Sequence, residues 1–267
     1  MPHSFWLLLA AKMLTTAIIV VAASKIVERA GPFIGAMVAT LPISAGPSYI
    51  FLAAEHGGAF VHGAALPSLA TNAATFGFGA LYALLARRQP LWLALGLSFG
   101  LWIVAALAII RTPWTLGGAT LLNIAVFIPA FLATRACRAT APGRPPHTRW
   151  WDIPFRAALV MALVGATVVI GRLLGPAEAG VAALVPIVMF SLAIILQPRI
   201  GGLGAGAVIA HALPGLAGFG LAVAVLRLTV LPLGAPIALT LALCVCVFWN
   251  VGLALLRNIP LRRAQRT

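Results

Sequence analysis

The sequence predicts an all-α polytopic membrane protein of about nine transmembrane helices, arranged as two inverted four-helix repeats joined by a central helix. Three observations predict it. The chain carries long apolar runs with almost no charge, its basic residues fall on one side, and its glycines and prolines recur at a constant offset of 144 residues.

Of the 267 residues, 62% are hydrophobic and only 8% are charged. A soluble domain is about one quarter charged. Backbone polar groups inside a bilayer must be satisfied within the segment, so such runs read as helices of roughly 20 residues. The runs lack the two-residue alternation of a β-barrel strand. Spans are expected at 5–24, 31–54, 59–86, 91–110, 115–134, 154–173, 177–197, 201–226 and 235–256. The first ends in Val21-Ala22-Ala23-Ser24, which resembles a signal cleavage site. Lys12 interrupts that run and no base precedes it, so it is expected as a retained helix.

Most connectors are short and contain Gly, Pro or charge, as helix–helix turns do. The exception, 135–153, holds Pro142-Gly143-Arg144-Pro145-Pro146 and is expected to be an irregular basic linker. The chain thus divides into a first repeat (1–112), a linking helix (113–134), the basic linker (135–153) and a second repeat with a basic tail (154–267).

Charge sets the orientation. The only acids are Glu28, Glu55, Asp152 and Glu178, against eighteen bases and a net charge of +14. In a soluble protein that balance would point to nucleic acid; beside apolar spans it points to the positive-inside rule, and no nucleic-acid partner is expected. One side of the nine spans holds Lys25, Arg29, Arg87, Arg88, Arg135, Arg138, Arg144, Arg149, Arg156, Arg199, Arg257, Arg262, Arg263 and Arg266. The other side holds only Arg111, Arg172 and Arg227. The expectation is a bacterial inner-membrane protein with a periplasmic amino terminus and a cytoplasmic carboxyl terminus.

The repeat needs no gap. Lys12 aligns with Arg156, Gly31-Pro32 with Gly175-Pro176, Pro42-Ile43 with Pro186-Ile187, and Gly57-Gly58 with Gly201-Gly202. Matched Gly and Pro mark backbone turns and breaks, which makes them more informative than matched Leu or Ala. Five spans precede the second unit, so it enters the membrane from the opposite side. Secondary transporters share this architecture, with a midplane site formed by broken helices.

Lys12, Ser24-Lys25, Gly35, Pro42 and Glu55-His56-Gly57 resemble the GlpM-like family of small, four-helix bacterial inner-membrane proteins. The resemblance covers roughly residues 5–110. The second unit keeps the Gly/Pro frame but has Arg199 for Glu55 and Val168-Val169 for Ser24-Lys25. The resemblance implies a fused, duplicated form. The family is linked in name to glycerol metabolism and, in some bacteria, to production of the exopolysaccharide alginate. It therefore implies an alternative role as a non-transporting accessory subunit of envelope polysaccharide production.

Candidate site residues cluster at the expected helix breaks. In span two, Pro42 and Pro47 each remove a backbone donor and free a carbonyl, with Gly46 between them. Thr40, Ser44 and Ser48 add hydroxyls for a polar solute. The matching stretch of span seven carries Pro186 and Ser191. Span three contributes Pro67, Ser68, Thr71 and Asn72, and span eight contributes His211 and Pro214. Lys12 is an intramembrane cation open to two roles, anion attraction or snorkelling. Asn123 and Asn250 read as helix–helix hydrogen bonders. With bases in excess and no acid near a span centre, the expected solute is small and neutral or anionic. The lipid bilayer is the one assured partner; a second copy of the chain or an envelope complex is the other candidate.

Enzyme motifs are missing. There is no P-loop, dinucleotide fingerprint, His-Glu-x-x-His or Gly-x-Ser-x-Gly. Cys137, Cys244 and Cys246 form neither a disulfide framework nor a metal spacing, and no cofactor is expected.

Overall fold

The computed structural model describes residues 6–22, 45–140 and 149–264, with side chains as far as Leu256. Among the described residues all regular structure is helical. The helices are α1 (Trp6–Ala22), α2 (Ala45–Leu85), α3 (Leu91–Ile110), α4 (Leu116–Ala133), α5 (Arg135–Ala139), α6 (Asp152–Leu173), α7 (Pro176–Ala182), α8 (Ile187–Leu233) and α9 (Ala235–Ala264). Among the described residues six stretches are long and apolar enough to cross a membrane, one of them running through α7 and α8 together. The protein is membrane-embedded and all-α. Large apolar side chains stay exposed along the outer helices, as Leu121, Ile124, Ile128 and Leu132 do on α4. Their three- and four-residue spacing is that of one helix face, turned to the surroundings.

α2 and α8 are too long for one crossing, and each folds back on itself. Tyr49 and Ser68 would lie about 28 Å apart along a straight helix, at 1.5 Å per residue. Instead Tyr49 donates to Ser68 Oγ at 2.5 Å. The turn is at Gly57, where φ is 80°. In α8, Met189 and Leu213 both approach Gly79, and the turn is at Gly201, where φ is 74°. With ψ near 180° at both turns, this positive-φ conformation is essentially confined to glycine, because an L side chain there meets its own backbone. Glycine therefore allows a helical hairpin with almost no loop.

The two hairpins pack together through reciprocal contacts. A Cβ on Gly58 would lie 3.4 Å from the Val230 carbonyl oxygen, and one on Gly202 would collide with the Ala86 carbonyl. Position 202 lies 144 residues after 58, and 230 lies 144 after 86. Arg227 reaches the His62 carbonyl, while a Cβ on Gly206 would lie 2.8 Å from that of Ala83; these four residues obey the same offset. Between the hairpins lie the largest fully buried side chains, among them Tyr82, Phe76, Phe78, Ile209 and Leu213.

Several boundaries differ from the expected spans. Residues 135–139 form a short helix rather than irregular linker, so the basic segment starts helical. α9 runs on to Ala264, beyond the expected end of span nine at 256. Pro67, Pro129 and Pro214 sit within continuous helices. The expected break of span two, with Thr40, Pro42 and Ser44, lies outside the described residues.

Candidate functional site

A helix interruption faces a buried polar stripe. α7 ends at Ala182 and α8 begins at Ile187, with Pro186 preceding it at φ −75° and ψ 49°. Proline lacks the N–H that would continue α7 and restricts the residue before it, so the helix stops and restarts. Val185 N donates back to the Ala182 carbonyl, Ile187 N donates to Val185, and Phe190 N to Pro186 starts the next helix. The break lies roughly 10–15 Å from the start of α7, at about 1.5 Å per residue.

The carbonyls of this region meet hydroxyls on α2. Ser68 shares its proton between the carbonyl oxygens of Gly180 (2.7 Å) and Ala64 (2.9 Å), and accepts from Tyr49. One side-chain-free residue makes the approach possible, since a Cβ on Gly180 would run into the Ala64 carbonyl. Two turns on, Thr75 Oγ1 lies 3.4 Å from the Leu184 carbonyl oxygen and accepts from Trp102 Nε1 at 3.3 Å. Ser68, Thr71, Asn72 and Thr75 are all buried. Ser191 is buried too, and its hydroxyl returns to the Val188 carbonyl of its own helix.

Asn72 ties three helices together. Its Nδ2 donates to Asn123 Oδ1 (2.9 Å) and to the Leu216 carbonyl (3.0 Å), while Asn123 Nδ2 donates to the carbonyls of Leu69 (2.6 Å) and Ala119 (2.8 Å). Carbonyls only accept, so both amides are fixed in orientation. Asn72 Oδ1 is left buried with no hydrogen-bond partner. His211 Nδ1 donates to the Ala207 carbonyl at 2.8 Å, one turn back on its own helix.

Two ion pairs join the first helix of each half to the hairpin turn that follows. Lys12 on α1 pairs with Glu55, whose other oxygen lies 3.6 Å from His56 Nε2. Lys12 is buried, and its charge is met within the protein. In the second half Arg199 makes a two-point contact with Asp152, Nη1 to Oδ2 at 2.6 Å and Nη2 to Oδ1 at 2.5 Å. Arg199 is the residue 144 after Glu55, and Asp152 lies one turn before Arg156, the match of Lys12. The pair is kept with its signs exchanged.

Of the residues marked by sequence, Pro186 and Ser191 lie at the interruption. Asn72 belongs instead to the Asn123 network, and Lys12 to Glu55. Gly46, Pro47 and Ser48 lie at the start of the described part of α2. Sequence reasoning missed Glu55, Tyr49, Trp102, Asp152 and the Arg227–His62 contact. Glu55 stood in the sequence only as part of the Glu55-His56-Gly57 motif, and the one signal for Asp152 was the rarity of acids in the chain. Among the described residues no three His, Cys, Asp or Glu side chains lie close enough to hold a metal. Comparison with known proteins finds no matching family model, no similar curated protein and no similar solved structure.

Proposed function

We propose that the chain is a small secondary transporter of the bacterial inner membrane, moving a small neutral or anionic solute. In this reading nine spans form two inverted four-helix units, α1–α3 with the stretch before α2 and α6–α9, and α4 is the odd helix that inverts the second unit. The reciprocity of the hairpin contacts supports it. If residue i of one unit meets j of the other, a two-fold axis requires the counterpart of j to meet the counterpart of i. The pairs 58–230 and 86–202 obey that rule.

The observation that carries the functional reading is the interruption at 183–186 against the hydroxyl stripe of α2. Irregular backbone at membrane depth is tolerated where it is buried in protein or lines a cavity, and discontinuous helices at a repeat interface are where transporters bind their cargo. Ser68, Thr75, Tyr49 and the carbonyls of Gly180 and Leu184 are the groups a solute would exchange with when this packing opens. Two residues of the GlpM-like motif, Lys12 and Glu55, meet, and a third, Gly57, makes the turn.

The test is efflux from liposomes loaded with a mixed panel of small neutral and anionic metabolites, read by mass spectrometry. Wild-type vesicles should lose one or a few solutes that protein-free vesicles keep, and Ser68→Ala should slow that loss at least tenfold. Retention of the whole panel would remove the transporter reading and leave the accessory-subunit alternative.

A further inference from the structure

We infer that Arg227 and His62 form a binding site for an oxyanion, a phosphate or carboxylate group, at the end of the molecule where α2 turns and α8 ends. Arg227 Nη1 lies 2.5 Å from both His62 Nδ1 and the His62 carbonyl oxygen. A guanidinium only donates, so Nδ1 must accept. His62 is therefore the neutral tautomer with its proton on Nε2. Nη1 is fully used by these two bonds. The Nε–H and Nη2–H groups of Arg227 and the Nε2–H of His62 have no protein acceptor among the described residues. The set contains donors only.

The charge is also unmatched. Among the described residues Glu55 and Asp152 are taken by Lys12 and Arg199, and no carboxylate lies within ion-pair reach of Arg227. Both residues are half-buried, where an unpaired charge is held at a cost. The Nε/Nη2 edge of a guanidinium fits two oxygens of a phosphate or carboxylate, and the His62 contact fixes that edge in place.

Packing does not require the pair. The counterpart contact at the other end of the molecule is Ala83 against Gly206, which brings the same helices together with no polar side chain. An arginine that only snorkelled to the interface would have no need of His62 as a brace. The oxyanion can come from a dissolved solute or from a lipid headgroup. The site stands whether or not a solute crosses the membrane.

Two arms separate those sources. Full-length protein in phospholipid-free detergent is titrated with sodium phosphate at constant ionic strength, by calorimetry and thermal unfolding. In parallel, protein from phosphatidylcholine nanodiscs with and without phosphatidylglycerol is weighed by native mass spectrometry. Phosphate binding to wild type assigns a dissolved anion; selective retention of phosphatidylglycerol assigns a headgroup. In either arm Arg227→Ala, which copies the counterpart residue, should weaken binding at least tenfold. Arg227→Lys, which keeps the charge but loses the two-point edge, should give an intermediate loss, and Arg87→Gln on an exposed base should change nothing. Wild type that binds neither ligand, or binding that survives both Arg227 variants, overturns the site.

Discussion

Asn72 donates a 3.0 Å hydrogen bond from Nδ2 to the carbonyl oxygen of Leu216, the residue 144 positions further along the chain. Two positions related by the sequence offset can touch only near the axis that relates them. Asn72 therefore lies at the centre of the proposed two-fold arrangement, where α2, α4 and α8 meet.

That location makes Asn123→Ala informative. It removes one of the two acceptors of Asn72 Nδ2 and leaves the Leu69 carbonyl without its donor. Interhelical hydrogen bonds in membranes are worth about 1 kcal/mol, so the variant should lose roughly that much in thermal or denaturant unfolding. Asn72→Leu combined with Asn123→Leu should cost less than the two single changes added, because neither amide is then orphaned.

Close approach of the hairpins gives a sharper contrast. Gly202→Ala sets a methyl group against the Ala86 carbonyl and should abolish a monodisperse folded species. Gly96→Ala meets nothing within 4 Å and should leave unfolding unchanged, or slightly improved by helix propensity. Size-exclusion profiles of the two variants check this, and equal profiles would contradict the packing.

Much of this frame was legible in the residues. Gly57-Gly58 and Gly201-Gly202 announced two turns, Pro186 announced the interruption, and the span ends at 91–110 coincide with α3. Glycine and proline act through the local backbone, so their effect is written at their own position. The polar partnerships were not legible. Lys12 meets Glu55 across 43 residues and Arg227 meets His62 across 165. Such pairs depend on how whole helices dock, which apolar spans specify only weakly. The exchange of Glu55 for Arg199 reads in sequence as a lost motif; only the position of Asp152 turns it into a pair with reversed signs.

Those ion pairs predict a rescue. Glu55→Gln leaves Lys12 buried without its carboxylate and should cost roughly 3 kcal/mol. Lys12→Glu combined with Glu55→Lys restores the pair and should recover most of the loss. Arg199→Gln should behave as Glu55→Gln does, by stranding Asp152. Thermal unfolding in one detergent checks all three, and a double variant no more stable than Glu55→Gln would contradict a specific pair.

Hydroxyls near the interruption should divide by what they touch. Ser68→Ala leaves Tyr49 and the Gly180 carbonyl short of a partner and should cost about 1–3 kcal/mol. Ser191→Ala removes only a bond to its own helix and should change stability by less than about 0.5 kcal/mol. Equal losses would mean that the α2 stripe does not hold the break.

The inversion of the two halves is tested most directly by single cysteines at Ala59 and Leu203. These are exposed, repeat-related positions just after the two turns. They would be introduced after Cys137, Cys244 and Cys246 are replaced, and probed with a membrane-impermeant maleimide in right-side-out and inside-out vesicles. The account predicts that Ala59→Cys labels only from the periplasmic side and Leu203→Cys only from the cytoplasmic side. Labelling of both from the same side would contradict it.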